Sequence, residues 1–228
     1  MPTTKKKVMF LSSFFLSLVS LILICYILAA QGWVTSSVTV NDNFLSGKVV
    51  VSYGLFRGHT NVQLNEGIGE NNKNFDVLPK LKMSTSKVLL LLAVLGLAVS
   101  LAASLLSSSF TLYNSVSNPY QTFLGPVGVY TWSGLGAASA LLAMILFAAS
   151  TLSELSEQLV EALYASYPAS THRGTTHSYG APFWLLLLIM GLDVGAVVII
   201  VFYQKARYQQ EQEQRKPMES APRDGILF

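Results

Sequence analysis

Asp193 is the residue with the most chemical potential in this 228-residue chain, because it is the only charge in an apolar stretch covering residues 181–203. An ionisable group at membrane depth relays a proton, binds a cation or is held in place by hydrogen bonds. No other apolar stretch carries a charge to pair with it. The plain reading is therefore a packed carboxyl hydrogen-bonded to Ser100, Ser104 or Ser133, with an ion channel or transporter subunit built on Asp193 as the rival. Gly191 and Gly195 bracket the aspartate as Gly-x-x-x-Gly. That spacing lets two helix backbones approach closely, either inside a bundle or between copies as a homo-oligomer. Glu154, Glu157 and Glu161 share one helical face. With no ligand-spaced histidine beside them they read as a solvated face rather than a metal site. His172 and His177 lie in a polar stretch and read as solvent-exposed. The lone cysteine, Cys25, leaves no intramolecular disulfide and no cysteine-based zinc site. Nucleophile elbows, phosphate loops and base-plus-orienter sets are absent from the sequence. The chain is expected to be no enzyme and to use no cofactor or metal. Its basic residues are too dispersed to point to nucleic acid.

Two features near the end of the chain could recruit partners. Lys205 and Arg207 follow the last apolar stretch but fall short of the four to eight bases expected of a lipid-specific cluster. Ile226 and Phe228 stand third-last and last, the spacing that suits a PDZ-type scaffold groove capturing an extended terminus.

The elements that must position these residues follow from composition. About half the chain is apolar and only 12% is charged, roughly half the charge of a soluble domain. Four apolar runs, 8–30, 88–112, 127–149 and 181–203, the last interrupted only by Asp193, are each long enough for the ~20 residues that cross a bilayer. In hydrocarbon each must satisfy its own backbone, so each is a helix. Continuous runs do not alternate as a β-barrel would. Lys5, Lys6 and Lys7 before the first run and Ala29-Ala30 at its end imitate a signal peptide. The run exceeds the ~7–15 apolar residues of that device, so an uncleaved anchor is expected. The lysine triplet sets the termini in the cytosol, although Lys80, Lys82 and Lys87 pull the other way. The expected order is a cytosolic N-terminus (1–7), helix (8–30), outer loop (31–87), helix (88–112), cytosolic loop (113–126), helix (127–149), outer loop (150–180), helix (181–203) and cytosolic tail (204–228). The lipid bilayer is the first partner, and the plasma membrane the expected location.

Within the first outer loop, 33–40 and 48–56 are rich in β-formers and flank turn residues, which predicts a small antiparallel sheet. Residues 58–74 read as irregular, and the stretch after Pro168 as an open loop. Leu152, Leu155, Leu159 and Leu163 form a stripe opposite the glutamates, so the third helix is expected to continue past the membrane and lay its leucines on the sheet. Pro119, Gly125 and Pro126 punctuate the short loop, with proline tolerated in a first helical turn. Gly128 leaves room for close helix approach. A fixed helical hairpin and a cytosolic docking loop are both open readings here. The tail begins as a charged helix and is expected to break at Pro217 and Pro222.

Loop order and cysteines separate the four-span families. Tetraspanins place the large loop second and staple it with cysteines; connexins carry cysteines in both outer loops. Trp33 followed by Gly54, Leu55 and Phe56 is similar to the claudin and peripheral-myelin group, but the two cysteines of that pattern are missing. The segments Tyr53-Gly-Leu-Phe-Arg-Gly58 and Asn118-Pro-Tyr-Gln-Thr-Phe-Leu-Gly-Pro-Val-Gly-Val-Tyr130 resemble the clarin family, and the likeness runs through both chain ends. The resemblance implies a claudin-like, non-enzymatic membrane protein: an all-α transmembrane four-helix bundle with a small extracellular β-sheet in the first outer loop. It also implies links to actin organisation, partner-complex assembly and sensory perception. Cell–cell adhesion through the first outer loop is a further reading.

Overall fold

The computed structural model describes residues 2–41, 46–64, 73–116, 125–164 and 173–219. In chain order they form α1 (Pro2–Ala29), β1 (Val34–Asn41), β2 (Ser46–Tyr53), β3 (Arg57–Leu64), β4 (Lys73–Asp76), the single turn α2 (Val77–Lys80) and α3 (Thr85–Val116). Next come α4 (Gly125–Ser150), a π-type turn (Thr151–Leu155), α5 (Ser156–Tyr164), β5 (Arg173–Tyr179) and α6 (Ala181–Glu219). The α1, α3, α4 and α6 helices contain the segments long and apolar enough to cross a membrane. Many of their outward residues are large and apolar, among them Leu91, Leu95, Ile145 and Leu188, while small or hydroxylated residues such as Ser100, Ser104, Ala140 and Ala143 sit inward beside larger ones such as Leu90, Leu97 and Phe147. A bilayer demands that arrangement: lipid is as apolar as leucine, so helices associate through small residues and hydrogen bonds instead.

The four helices close into a ring in the order α1, α3, α4, α6. The α3 and α4 helices approach closely at Gly96, where an added Cβ would lie 3.3 Å from both Ala143 Cβ and the Ser139 carbonyl. At the end of the bundle that carries the chain's tail, Phe10, Val129 and Ile200 form a separate apolar cluster.

At the other end sits a five-stranded antiparallel sheet in the order β4-β3-β2-β1-β5. Val34 pairs with Tyr53 across β1 and β2, and Gly58 with both Tyr53 and Phe75 across β3. The expected hairpin is present, but the sheet is larger than the sequence suggests. Arg57–Leu64 and Lys73–Asp76 are strands where irregular chain is expected. The fifth strand comes from the second loop, where an open loop is expected. Arg-Gly-Thr-Thr-His-Ser-Tyr carries no apolar alternation. It is extended because β1 offers it a partner, and tertiary pairing of this kind overrides weak strand preference. Polar side chains line the seam: Ser36 Oγ meets His177 Nδ1 at 2.9 Å, and Ser37 Oγ meets Thr176 Oγ1 at 2.7 Å. His177 is exposed, as expected, but it has a partner.

The sheet is seated on the bundle by aromatic side chains. Trp33 is fully buried and its indole Nε1 donates to the Ile27 carbonyl at 2.8 Å. That carbonyl lies in the last turn of α1, where no backbone N–H can reach it. The Trp33 ring packs on Phe147 of α4, centroids 4.7 Å apart. Tyr53 is equally buried, and its hydroxyl meets Ser156 Oγ at 2.6 Å.

The helix expected to run on unbroken from α4 is broken. Ser153 (φ −88°, ψ 42°) and Glu154 (φ 70°, ψ 12°) leave helical geometry. A left-handed non-glycine residue costs about 1–2 kcal/mol, and the surroundings supply compensation. The freed Ser153 carbonyl accepts from the Ser86 hydroxyl, and Ser84 Oγ donates to Gln158 Oε1 at 3.2 Å. The break turns α5 so that Leu155 and Leu159 are fully buried and Leu163 packs on the core, while Leu152 swings out to 83% exposure. Glu154, Glu157 and Glu161 remain in solvent. The tail also departs from expectation: α6 passes Pro217 and reaches Glu219. So close to a helix end, proline removes one backbone bond and leaves the preceding turns intact.

Burial pushes the Tyr53 hydroxyl up to about 12, against hydrogen bonds from Ser156 and Thr151 that pull the other way. A tyrosine in the unfolded chain ionises near 10. The stability tied to this group is therefore complete below pH 10 and is lost as pH rises through 12, by about 3 kcal/mol. Thermal melts of the solubilised protein should show a steep fall of midpoint between pH 10 and 12. Tyr53→Phe should lose that steep component while starting from a lower midpoint at pH 8.

Candidate functional site

Buried hydroxyls run down the inside of the bundle and meet a carboxyl. Ser17 Oγ lies 3.2 Å from Ser107 Oγ, which lies 2.8 Å from Ser133 Oγ, so three helices share one chain of hydrogen bonds. A turn nearer the sheet, Ser20 and Ser104 approach to 3.5 Å, and Ser100 donates to the Gly136 carbonyl at 3.1 Å. Asp193 projects into this layer from α6 and is 1% exposed. The Ser20 hydroxyl lies beside the carboxyl. The carboxyl Oδ2 is buried with no hydrogen-bond partner. It lies 3.1 Å from where a Cβ at position 136 would stand, so Gly136 is the space that admits the carboxyl.

Asp193 is buried inside the bundle beside Ser20 of α1, while Ser100, Ser104 and Ser133, the partners expected from sequence, bond Gly136, Ser20 and Ser107 instead. Sequence alone could not order the helices around the ring. The missed signal was the run Ser13, Ser17, Ser20 at helical spacing on the first span; all three are fully buried. No cluster of three or more His, Cys, Asp or Glu that could hold a metal occurs among the described residues. Close to the carboxyl, Ser13 Oγ of α1 donates to the Ala196 carbonyl of α6 at 3.4 Å, which joins these two helices.

The other expected residues separate by role. A Cβ added at Gly195 would lie 3.4 Å from Leu16 Cδ1, whereas one added at Gly191 would meet open space. Only Gly195 of the Gly-x-x-x-Gly pair is turned toward another helix of this chain, and Gly191 faces outward. Gly54 is pressed so close to the Ala30 carbonyl that a Cβ would overlap it. Leu55 is fully buried, and the Phe56 carbonyl accepts from Val77 N–H at 2.8 Å. The Gly54-Leu55-Phe56 motif is thus the joint that folds the sheet back over the end of α1. Gly125, with φ 44°, and Pro126 begin α4, and Gly128 is buried. Pro119, Ile226 and Phe228 lie outside the described residues.

Comparison with known proteins gives this architecture its family. A family model described as Clarin-2-like matches residues 5–189. The chain is 58% identical to Clarin-3 of Homo sapiens over 229 aligned positions covering all of both proteins. This chain belongs to the clarin family. Clarin-3 of Mus musculus is 56% identical over the same extent. Clarin-1 of Homo sapiens is more distant, at 26% over 199 positions covering 82% of this chain and 83% of that protein. The clarin resemblance read from the segments 53–58 and 118–130 is confirmed, and with it a multi-pass membrane protein of claudin-like plan. The family-model match ends before Asp193, but the full-length likeness to Clarin-3 includes it.

Asp193→Asn keeps the shape that packs against Ser20 and Gly136, so its thermal midpoint and membrane delivery should stay near those of the parent protein. Gly136→Val forces a side chain into the carboxyl and should cost about 1–3 kcal/mol, read as a drop in melting temperature and lower expression.

Proposed function

We propose that this clarin-family protein is a non-enzymatic organiser of membrane complexes, in the plasma membrane with both termini in the cytosol. The observation that carries this reading is the continuity of α6. Gly180 N–H donates to the Trp33 carbonyl at 2.8 Å, so the helix begins on the sheet itself. It then continues without interruption to Glu219. Its last turns, from Gln204 on, extend about 24 Å beyond the apolar stretch at 1.5 Å per residue. One rigid element thereby joins a folded platform on one side of the bilayer to a charged, exposed helix on the other. Partners beneath the membrane are scaffold and actin-linked proteins, reached through this extension and a PDZ-type contact made by Ile226 and Phe228. Copies associate through the lipid-facing side of α6 around Gly191.

A second reading is favoured by a specific observation, the unpartnered and buried Oδ2 of Asp193. It makes the protein an ion-conducting or transporting subunit. The two are separated by proximity labelling from the tail alongside reconstitution in planar bilayers. The organiser reading expects enrichment of scaffold and actin-linked proteins, lost when one residue is added after Phe228, and no conductance. A current that Asp193→Asn abolishes, with no such enrichment, would replace it with the second reading.

A further inference from the structure

The apolar surface that the bundle turns outward is taller on one side than on the other. On α1 the exposed large apolar residues run from Val8 to Tyr26, and on α6 from Trp184 to Phe202, with Tyr208 following only after Lys205 and Arg207. At a rise of 1.5 Å per residue each of these belts is about 27 Å tall. On α3 the belt runs from Val88 to Val116 and on α4 from Val127 to Leu152, about 42 Å and 38 Å by the same rise. Exposed hydroxyls inside the tall belts are satisfied within their own helix. Ser109 Oγ donates to the Leu105 carbonyl at 2.8 Å and Thr131 Oγ1 to the Val127 carbonyl at 3.0 Å. Lys87, next to Val88, turns its Nζ back to the Leu81 carbonyl at 3.3 Å, away from the belt.

The extra height lies at the sheet end. Ser17 meets Ser107 and Ser20 meets Ser104, which sets Val8 of α1 level with Val116 of α3. Gly136 admits the Asp193 carboxyl, which sets Val127 of α4 level with Phe202 of α6. The four belts therefore start flush at the tail end. At the sheet end the same registers put Tyr26 level with Ala98 and Trp184 level with Ile145. Val88 stands about 15 Å, and Leu152 about 10 Å, beyond those levels. The hydrocarbon of a bilayer is about 30 Å thick, and about 40–45 Å with its headgroups. The α1–α6 side suits the hydrocarbon alone, whereas the α3–α4 side is as tall as nearly the whole bilayer. These helices are locked in register and do not tilt separately, so the bilayer itself must thicken beside the taller face. We infer that the α3–α4 face binds phospholipids with long acyl chains, which cover Leu91 and Leu152 at the sheet end. The tall face is continuous with the ordinary lipid face of the same two helices, so lipid is the occupant it fits. The inference rests neither on the placement of the termini nor on the organiser reading.

The test is competition between dierucoyl and dimyristoleoyl phosphatidylcholine, the same headgroup on long and short chains, in nanodiscs holding equal parts of each. Native mass spectrometry of the released full-length protein reads which lipid stays bound. The parent protein should retain the long lipid about threefold over the short one, because mismatch costs fractions of a kcal/mol per Å. Leu91→Ser with Leu152→Ser removes apolar surface from the extra height and should bring that ratio to about one. A second measurement keeps the test decisive if the double variant does not fold. An environment-sensitive fluorophore on Leu152→Cys, in a Cys25→Ser background, should be shielded from aqueous iodide in the long lipid and open to it in the short one. The same label on Tyr26→Cys should be shielded in both. No preference in the parent protein, or a label at position 152 equally open to iodide in both lipids, overturns the inference. So does a second copy of the chain retained in place of the long lipid.

Discussion

Trp33 holds together the two halves of a molecule that live in different solvents. Its indole N–H occupies the Ile27 carbonyl in the last turn of α1, and its ring fills the space against Phe147 of α4. In the same few residues the backbone of Trp33 accepts from Gly180 and donates to the Tyr53 carbonyl. One residue thus ties the first helix, the third helix, β2 and the start of the fourth helix. The close approaches at Gly54 and Gly180 follow from it, because the sheet backbone must pass directly over the ends of α1 and α6. A chain with a single cysteine has no disulfide available to fix this arrangement, so buried aromatic packing and hydrogen bonds do so instead. Tyr53 repeats the device on the other flank, tying β2 to α5 through Ser156.

How much of this was legible in the sequence divides along physical lines. The four spans were fully legible, because hydrocarbon imposes a length and a composition that soluble folds do not need. The β1–β2 hairpin was legible from its valines. The strand Lys73–Asp76 and the strand Arg173–Tyr179 were not. Both are short and polar, and both exist because a neighbouring edge was available to pair with. The break at Ser153 and Glu154 was hidden for a different reason: the leucine and glutamate periodicity around it is correct for a helix, and only contact with Ser86 and Gln158 shows where that helix must turn.

The same division applies to the site. Asp193 was visible as a charge among apolar residues, and the small-residue spacing of the spans was visible as packing potential. Which hydroxyls meet the carboxyl depends on the ring order of helices, and no local pattern encodes that. Gly136 could be recognised as significant only after its missing side chain was seen to be the place of Asp193 Oδ2. Membership of the clarin family gives the plan of the molecule; the hydroxyl layer around Asp193 and the unbroken α6 show how this chain carries that plan out.

The two loops build one sheet across the β1–β5 seam. It is tested most directly by Ser37→Cys with Thr176→Cys in a Cys25→Ser background, because Ser37 Oγ and Thr176 Oγ1 already lie 2.7 Å apart. Mild oxidation of the protein in native membranes, followed by peptide mass spectrometry, should find the pair joined in most molecules. The offset pair Ser37→Cys with Ser178→Cys, two residues out of register, should stay largely reduced. If the in-register pair stays reduced, or if both pairs cross-link equally, the loops do not share a sheet.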